Sequence, residues 1–368
     1  MVTPQVWQIA AGETGRLYPE LFIDHDVMCM GPGDAGEFDF DKYVRRYPDR
    51  YPGRGGTDII SQMRSFREKV RPRDIVLLRE YHKVSAIGVV ADDGYSWRQA
   101  FDDVYGWDLQ HTQRVIWQDH LTGPLQRLQR AGELFAGRKQ IPTFTKVSDR
   151  SVLAPLKELL AKCRLRPLRA LPNVSAPLTT EELREEFFAR GLQSRSADSL
   201  LAAIDRQQRL WRWYECYGKA SGRPAEHEVV AHMVLPMLVA LGWSEQLLAV
   251  EWNRIDLAAF NGTPTTRENC ILVCEAKGRG KGMQDVCKQA KAYVAKFELR
   301  NCRKILLTEG TRFYLYEATG GKWDDAPCGY FNINKLRKTH VAPQETNAVD
   351  TIVSLTPAGV ARHPGKGA

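Results

Sequence analysis

The chain has 368 residues, enough for two domains with separate cores, and its 43% hydrophobic and 26% charged residues exclude a disordered or fibrous protein. Lys and Arg (52) outnumber Asp and Glu (44), a formal net charge of +8 that suits a polyanionic partner. No apolar run reaches bilayer-spanning length and the first residues lack a basic-then-apolar leader, which predicts a cytoplasmic protein; eight cysteines without Cys-x-x-Cys spacing argue against a zinc ribbon or a disulfide framework.

From the amino terminus, residues 6–10 alternate as a strand and residues 27–31 read as a second. The pattern turns helical between 39 and 70, interrupted by a basic loop over 48–56. Residues 75–78 and 84–90 follow as strands joined by a turn, ahead of Tyr95 and Trp97. Short strands broken by Gly, Pro and Asp predict a small β-rich barrel over residues 1–147. Its aromatic residues include Trp7, Tyr18, Tyr95, Trp97, Trp107 and Trp117, while Asp34, Asp92 and Asp93 suit either a polar pocket or turns.

Residues 148–220 predict a helical connector: a short basic helix, then Pro167, Pro172 and Pro177, then a helix capped by Thr179 or Thr180. Helical periodicity continues to 217 and includes the cluster Leu210-Trp211-Arg212-Trp213-Tyr214, expected to pack against the domain that follows.

Residues 221–340 carry the chemistry. Val230, Met233, Val234, Met237 and Leu241 recur at helical spacing, and Glu226 falls near that buried face whereas Glu228 points away. A carboxylate there is costly unless it meets a cation or a donor. His227 and His232 lack metal-ligand spacing and read as ordinary helix residues. Further on, the apolar run Ile271-Leu272-Val273-Cys274 ends in Glu275-Ala276-Lys277, which puts Glu275 and Lys277 on one face of a strand. The strand around Asp256 precedes a turn at Asn261-Gly262-Thr263-Pro264, so an antiparallel hairpin would bring Asp256 beside Glu275. Two neighbouring carboxylates repel unless a cation lies between them, and hard oxygen donors predict Mg²⁺. No phosphate-loop motif is present: Gly278-Arg279-Gly280-Lys281-Gly282 reads either as a phosphate-contacting basic loop or as a solvated turn. Residues 304–308 and 312–317 complete a mixed sheet, and residues 341–368 form a tail that is expected to be loosely ordered.

Glu226, the run around Leu241-Gly242-Trp243, Asp256, Glu275-Ala276-Lys277, Gln289-Ala290-Lys291-Ala292-Tyr293 and Leu307-Thr308-Glu309-Gly310 together resemble the PD-(D/E)XK nuclease superfamily, above all the nuclease domain of type I restriction enzymes. The resemblance implies an α/β restriction-endonuclease-like domain, a mixed sheet flanked by helices. It implies catalytic roles for Glu226, Asp256, Glu275, Lys277, Gln289 and Tyr293, with Asp256, Glu275, Ala276 and Glu226 as metal positions. Ile255 stands where the family has Pro, and Glu309 where it usually has Asn.

Trp7, Arg73-Asp74-Ile75-Val76 and Ile87-Gly88-Val89 give the first domain a similarity to the PUA-like superfamily, in particular its EVE and YTH-like branch. That similarity implies a modified-base pocket, with Trp7, Tyr95 and Trp97 as its walls. The combined expectation is a Mg²⁺-dependent endonuclease of restriction or phage-defence type acting on double-stranded DNA, working as a homodimer or with a partner ATPase. Its rivals are an RNase and a non-catalytic nucleic-acid binder on a nuclease-like scaffold.

Overall fold

The computed structural model describes residues 4–13, 16–47, 58–135, 142–278, 283–341 and 346–361. The basic loop read at 48–56, and Arg279 and Lys281, lie outside the described residues. The chain divides into two compact α/β units, residues 1–173 and 174–368.

The first unit contains β1 (Val6–Ala10), β2 (Gly12–Glu13), β3 (Arg16–Leu17), β4 (Val27–Met30), β5 (Ile75–Glu80), β6 (Lys83–Trp97), β7 (His111–Trp117) and β8 (Phe144–Lys146). β2 and β3 form a small hairpin of their own; the other six form a mixed sheet in the order β4-β7-β6-β5-β1-β8, in which only β1 and β5 run parallel. Asp74 ties the start of this sheet together, accepting hydrogen bonds from the Gln5 N–H (2.9 Å), the Trp7 Nε1–H (2.8 Å) and the Arg71 N–H (3.1 Å). β6 changes register against β7 between Val90 and Tyr95, a bulge that carries exposed Asp92 and Asp93 and Gly94 at φ +69°. Beyond it Tyr95 and Trp97 pair with Gln113 and His111.

The expected connector over 148–220 does not stand apart. Its first helix, Arg150–Leu160, buries Val152, Leu156 and Leu159 with Leu77, Ile87 and Leu125 in the core of the first unit. The prolines follow in an irregular stretch that Arg166 pins by donating to both carboxylate oxygens of Asp26, at 2.6 and 2.7 Å. The remaining helices, Thr180–Ala189 and Ser194–Trp213, bury Phe187, Leu200, Ile204 and Trp211 in the core of the second unit. Thr179 caps the first of them in a reciprocal capping box with Glu182.

The second unit is built on β9 (Leu248–Trp252), β10 (Ile255–Phe260), β11 (Cys270–Ala276), β12 (Lys304–Thr308), β13 (Arg312–Thr319), β14 (Lys322–Trp323) and β15 (Gly329–Asn332). Its order is β14-β13-β12-β11-β10-β9, with β15 also on β13. β11 and β12 are parallel, and the crossover between them carries the helix Met283–Lys296; the other pairs are antiparallel hairpins or ladders. β11 is buried along its whole length, as a central strand covered on both faces must be. The tail expected beyond 341 instead closes this core. Helix Ala348–Val353 buries Val349 and Ile352, Val360 follows from helix Pro357–Ala361, and the Trp243 Nε1–H donates to the Leu355 carbonyl at 2.7 Å. Among the described residues no helix is long and apolar enough to cross a membrane.

Gly310, in the turn between β12 and β13, has φ +107°, and a Cβ there would lie 2.4 Å from the Trp211 ring. Both backbone and packing demand glycine. Gly310→Ala is expected to destabilise the second unit by about 1–3 kcal/mol, read as an earlier unfolding transition in urea.

Candidate active site

Glu226 opens a short helix, Glu226–Val229, which passes through a wider π-type turn, Val230–Val234, into helix Leu235–Ala240. Val229, Val230, Met233, Val234, Met237 and Leu238 are buried beneath it, so the apolar stripe seen in the sequence is the face that meets the sheet. Glu228, expected to point away, is the less exposed of the two acids, 21% against 44% for Glu226, and pairs with Arg223, whose Nε donates to it at 2.7 Å.

Asp256 lies on β10 and Glu275 on β11. The antiparallel register pairs Leu257 with Cys274, and one residue further along it sets Asp256 opposite Glu275. One Asp256 oxygen, Oδ2, accepts the Ala276 N–H at 2.7 Å, which fixes the carboxylate against the end of β11. The Lys277 N–H donates to the Thr308 carbonyl at 2.8 Å, so the parallel neighbour β12 holds the residue that carries the ammonium. Lys277 Nζ then lies 3.3 Å from Glu226 Oε2 and 3.8 Å from Glu275 Oε2. From helix Met283–Lys296, the Gln289 amide donates to Glu275 Oε2 at 3.4 Å and to the Tyr293 hydroxyl at 3.1 Å.

Six side chains from two strands, a strand end and two helices therefore form one polar network around Glu275. The electrostatics are unbalanced. Burial, with Asp256 beside it, pushes the Glu275 carboxyl up to about 7, Lys277 only partly opposing the rise. Burial raises Asp256 as well, against the pull of its Ala276 hydrogen bond and of Lys277. Glu275 is 1% exposed, and its Oε1 has no hydrogen-bond partner among the described residues.

An orphaned, buried carboxylate oxygen beside a second carboxylate is a donor set that a hard cation satisfies, so Asp256 and Glu275 fit Mg²⁺. The other two expected metal positions, Glu226 and Ala276, are placed differently. Among the described residues no group of three or more His, Cys, Asp and Glu side chains is arranged to hold a metal ion, and Glu226 enters the site through Lys277. Ala276 contributes its N–H to Asp256. His227 pairs with Glu251 on the exposed surface at 2.9 Å.

The expected pocket walls of the first unit differ in burial. Trp7 is a core residue: it is 2% exposed, stacks on Phe144 with ring centroids 5.1 Å apart and bonds to Asp74. β1 is buried along its whole length, so neither of its faces opens onto a pocket. Tyr95 and Trp97 are half-buried beside a residue that the sequence did not single out, His111. The Tyr95 ring stacks on His111 at 6.0 Å and Arg67 lies 5.2 Å over the Tyr95 ring. His111 Nε2 faces the Pro32 carbonyl at 3.0 Å, which can only accept, so Nε2 carries the proton and Nδ1 accepts from the Tyr95 hydroxyl at 2.7 Å. Burial lowers His111 to about 4, keeping it neutral. Trp97 Nε1 is buried without a hydrogen-bond partner among the described residues. No reading of the sequence singled out His111, because β7 lacks apolar–polar alternation and one histidine in a strand carries no chemical signature.

No family model, no curated protein and no solved structure matches this chain.

Glu275 holds its proton more tightly in the folded than in the unfolded chain. In the metal-free protein its contribution to stability is therefore fully present below about pH 4.5 and is lost as the pH rises through about 7. Glu275→Gln is expected to stabilise the chelator-treated protein by on the order of 2 kcal/mol at about pH 8, with no gain below about pH 4.5. Urea denaturation of both proteins across that range measures it.

Proposed function

We propose that the chain is a Mg²⁺-dependent DNA endonuclease of the PD-(D/E)XK kind, with the second unit as its nuclease domain. The observation that carries this reading is the opposed pair Asp256 and Glu275, with Lys277 beside it and one Glu275 oxygen unpaired in a buried setting. Asp256 and Glu275 would hold the cation, which when bound polarises the scissile phosphate and lowers the pKa of a water.

The remaining work belongs to side chains of the protein. Lys277, 15% exposed and between two acids, is held where its ammonium can orient the attacking water and offset charge that builds on the phosphate. Glu226 positions that ammonium from the helix side. Gln289, braced by Tyr293, restrains the Glu275 carboxylate so that its second oxygen faces the site. Burial of Glu275 and Lys277 lowers the local dielectric between them, which strengthens their interaction.

The first unit, in this proposal, is a PUA-like barrel that directs the nuclease to modified DNA. Its mixed sheet, the bulge in β6 and the half-buried pair Tyr95 and Trp97 support that reading: a flipped base would stack on an aromatic face while polar groups read its edge. Trp7 is left out as a wall because it is core. Cutting both strands calls for two sites, hence a homodimer or a partner, and an ATPase partner would supply the motor that the sequence lacks.

Asp256→Ala and Lys277→Ala are each expected to lower Mg²⁺-dependent plasmid cleavage by about 10²-fold or more while the circular dichroism spectrum stays unchanged. Plasmids carrying plain, methylated and hydroxymethylated cytosine, assayed alongside structured RNA, identify the substrate. Undiminished cleavage by either variant would refute the site.

A further inference from the structure

Trp213 and Tyr217 stand out on the surface of the second unit: they are 41% and 70% exposed, with ring centroids 6.0 Å apart. Large aromatic side chains are seldom left adjacent and open to water without a use. They occur where helix Ser194–Trp213 gives way to a π-helical turn, Tyr214–Gly218, an irregularity that re-aims side chains and is common at functional sites. Trp213 is braced edge-on by buried Tyr214 at 5.6 Å. The Arg223 guanidinium lies 5.1 Å over Trp213 and 5.5 Å over Tyr214, and Glu228 fixes it at 2.7 Å.

The backbone that follows Arg223 approaches the strand end that carries Lys277. Arg223 is followed by Pro224, whose carbonyl oxygen would be 3.9 Å from a Cβ on Gly278, the residue after Lys277. Three residues beyond Arg223 is Glu226, which holds the Lys277 ammonium. Arg206 and Arg209, both exposed, precede Trp213 on one helix face at spacings of three and four, with Arg209 paired to Asp205 at 2.7 Å.

Resting on the nuclease reading above, we propose that Trp213 and Tyr217, backed by Arg223, form a stacking platform for unpaired bases of the DNA strand next to the cleavage site. Exposed π faces with a guanidinium among them match unpaired nucleotides, since every base offers a stacking face and the adjoining phosphates are anionic. A paired duplex keeps its base faces covered and gains little from such a surface. The preferred substrate is then a duplex carrying a single-stranded tail or gap.

Fluorescence anisotropy on the full-length protein in chelator, where no cleavage occurs, tests this with a blunt duplex, the same duplex with a single-stranded tail, and the free single strand. Trp213→Ala and Tyr217→Ala are each expected to weaken binding of the tailed and single-stranded probes about tenfold, Trp213→Phe by no more than about threefold, and the blunt duplex by less than about twofold. Unchanged affinity for the tailed probe in both alanine variants, or equal losses on tailed and blunt probes, would overturn the platform. Binding is read without metal, so the two readings fail separately. Wild-type protein that prefers tails but never cuts retains the platform and loses the nuclease.

Discussion

The second unit is organised around an unfavourable contact, a half-buried and a fully buried carboxylate set opposite each other on neighbouring strands. Asp256 and Glu275 are held there by the β10–β11 register, and β10 cannot slip by one residue without sending Asp256 to the other face, away from Glu275. Lys277 offsets part of the repulsion and the Ala276 N–H another part, yet burial still drives the Glu275 carboxyl toward neutrality. Such a pair lowers stability at neutral pH in the metal-free protein.

The surrounding architecture keeps that contact in place. β12 fixes Lys277 through the Thr308 carbonyl, the Met283–Lys296 helix brings Gln289 down onto Glu275, and the apolar face behind Glu226 anchors the opposite wall. Helices that the sequence assigned to a connector or a tail complete this core. Trp211 fills the space over Gly310 beside the β12–β13 turn, and residues 348–361 pack from the carboxy-terminal side.

Much of the site was legible because it depends on local periodicity. An apolar run ending in Glu-x-Lys fixes the face shared by Glu275 and Lys277, and the turn at 261–264 fixes the hairpin that brings in Asp256. The role of Glu226 was harder to read. Its spacing predicts the buried side of the helix, yet its side chain is 44% exposed, and whether it meets a metal position or the Lys277 ammonium depends on the distance between a helix and a strand end fifty-one residues apart. Periodicity does not encode such distances. Trp7 shows the same limit: alternation identifies a strand, and only the neighbours Phe144 and Asp74 make that tryptophan core. The place of the first connector helix was not legible, because a short basic helix ahead of a proline-rich stretch looks independent until Asp26 and the core of the first unit provide tertiary partners.

Binding of the cation itself is the most direct test. Thermal unfolding in Mg²⁺ and in chelator should separate wild type from Asp256→Asn and Glu275→Gln, because a ligand bound by the native state alone raises its stability by mass action. The account predicts a rise in Tm with Mg²⁺ for the wild-type protein and none for either variant. An equal rise in all three proteins, or none in the wild type, would contradict it.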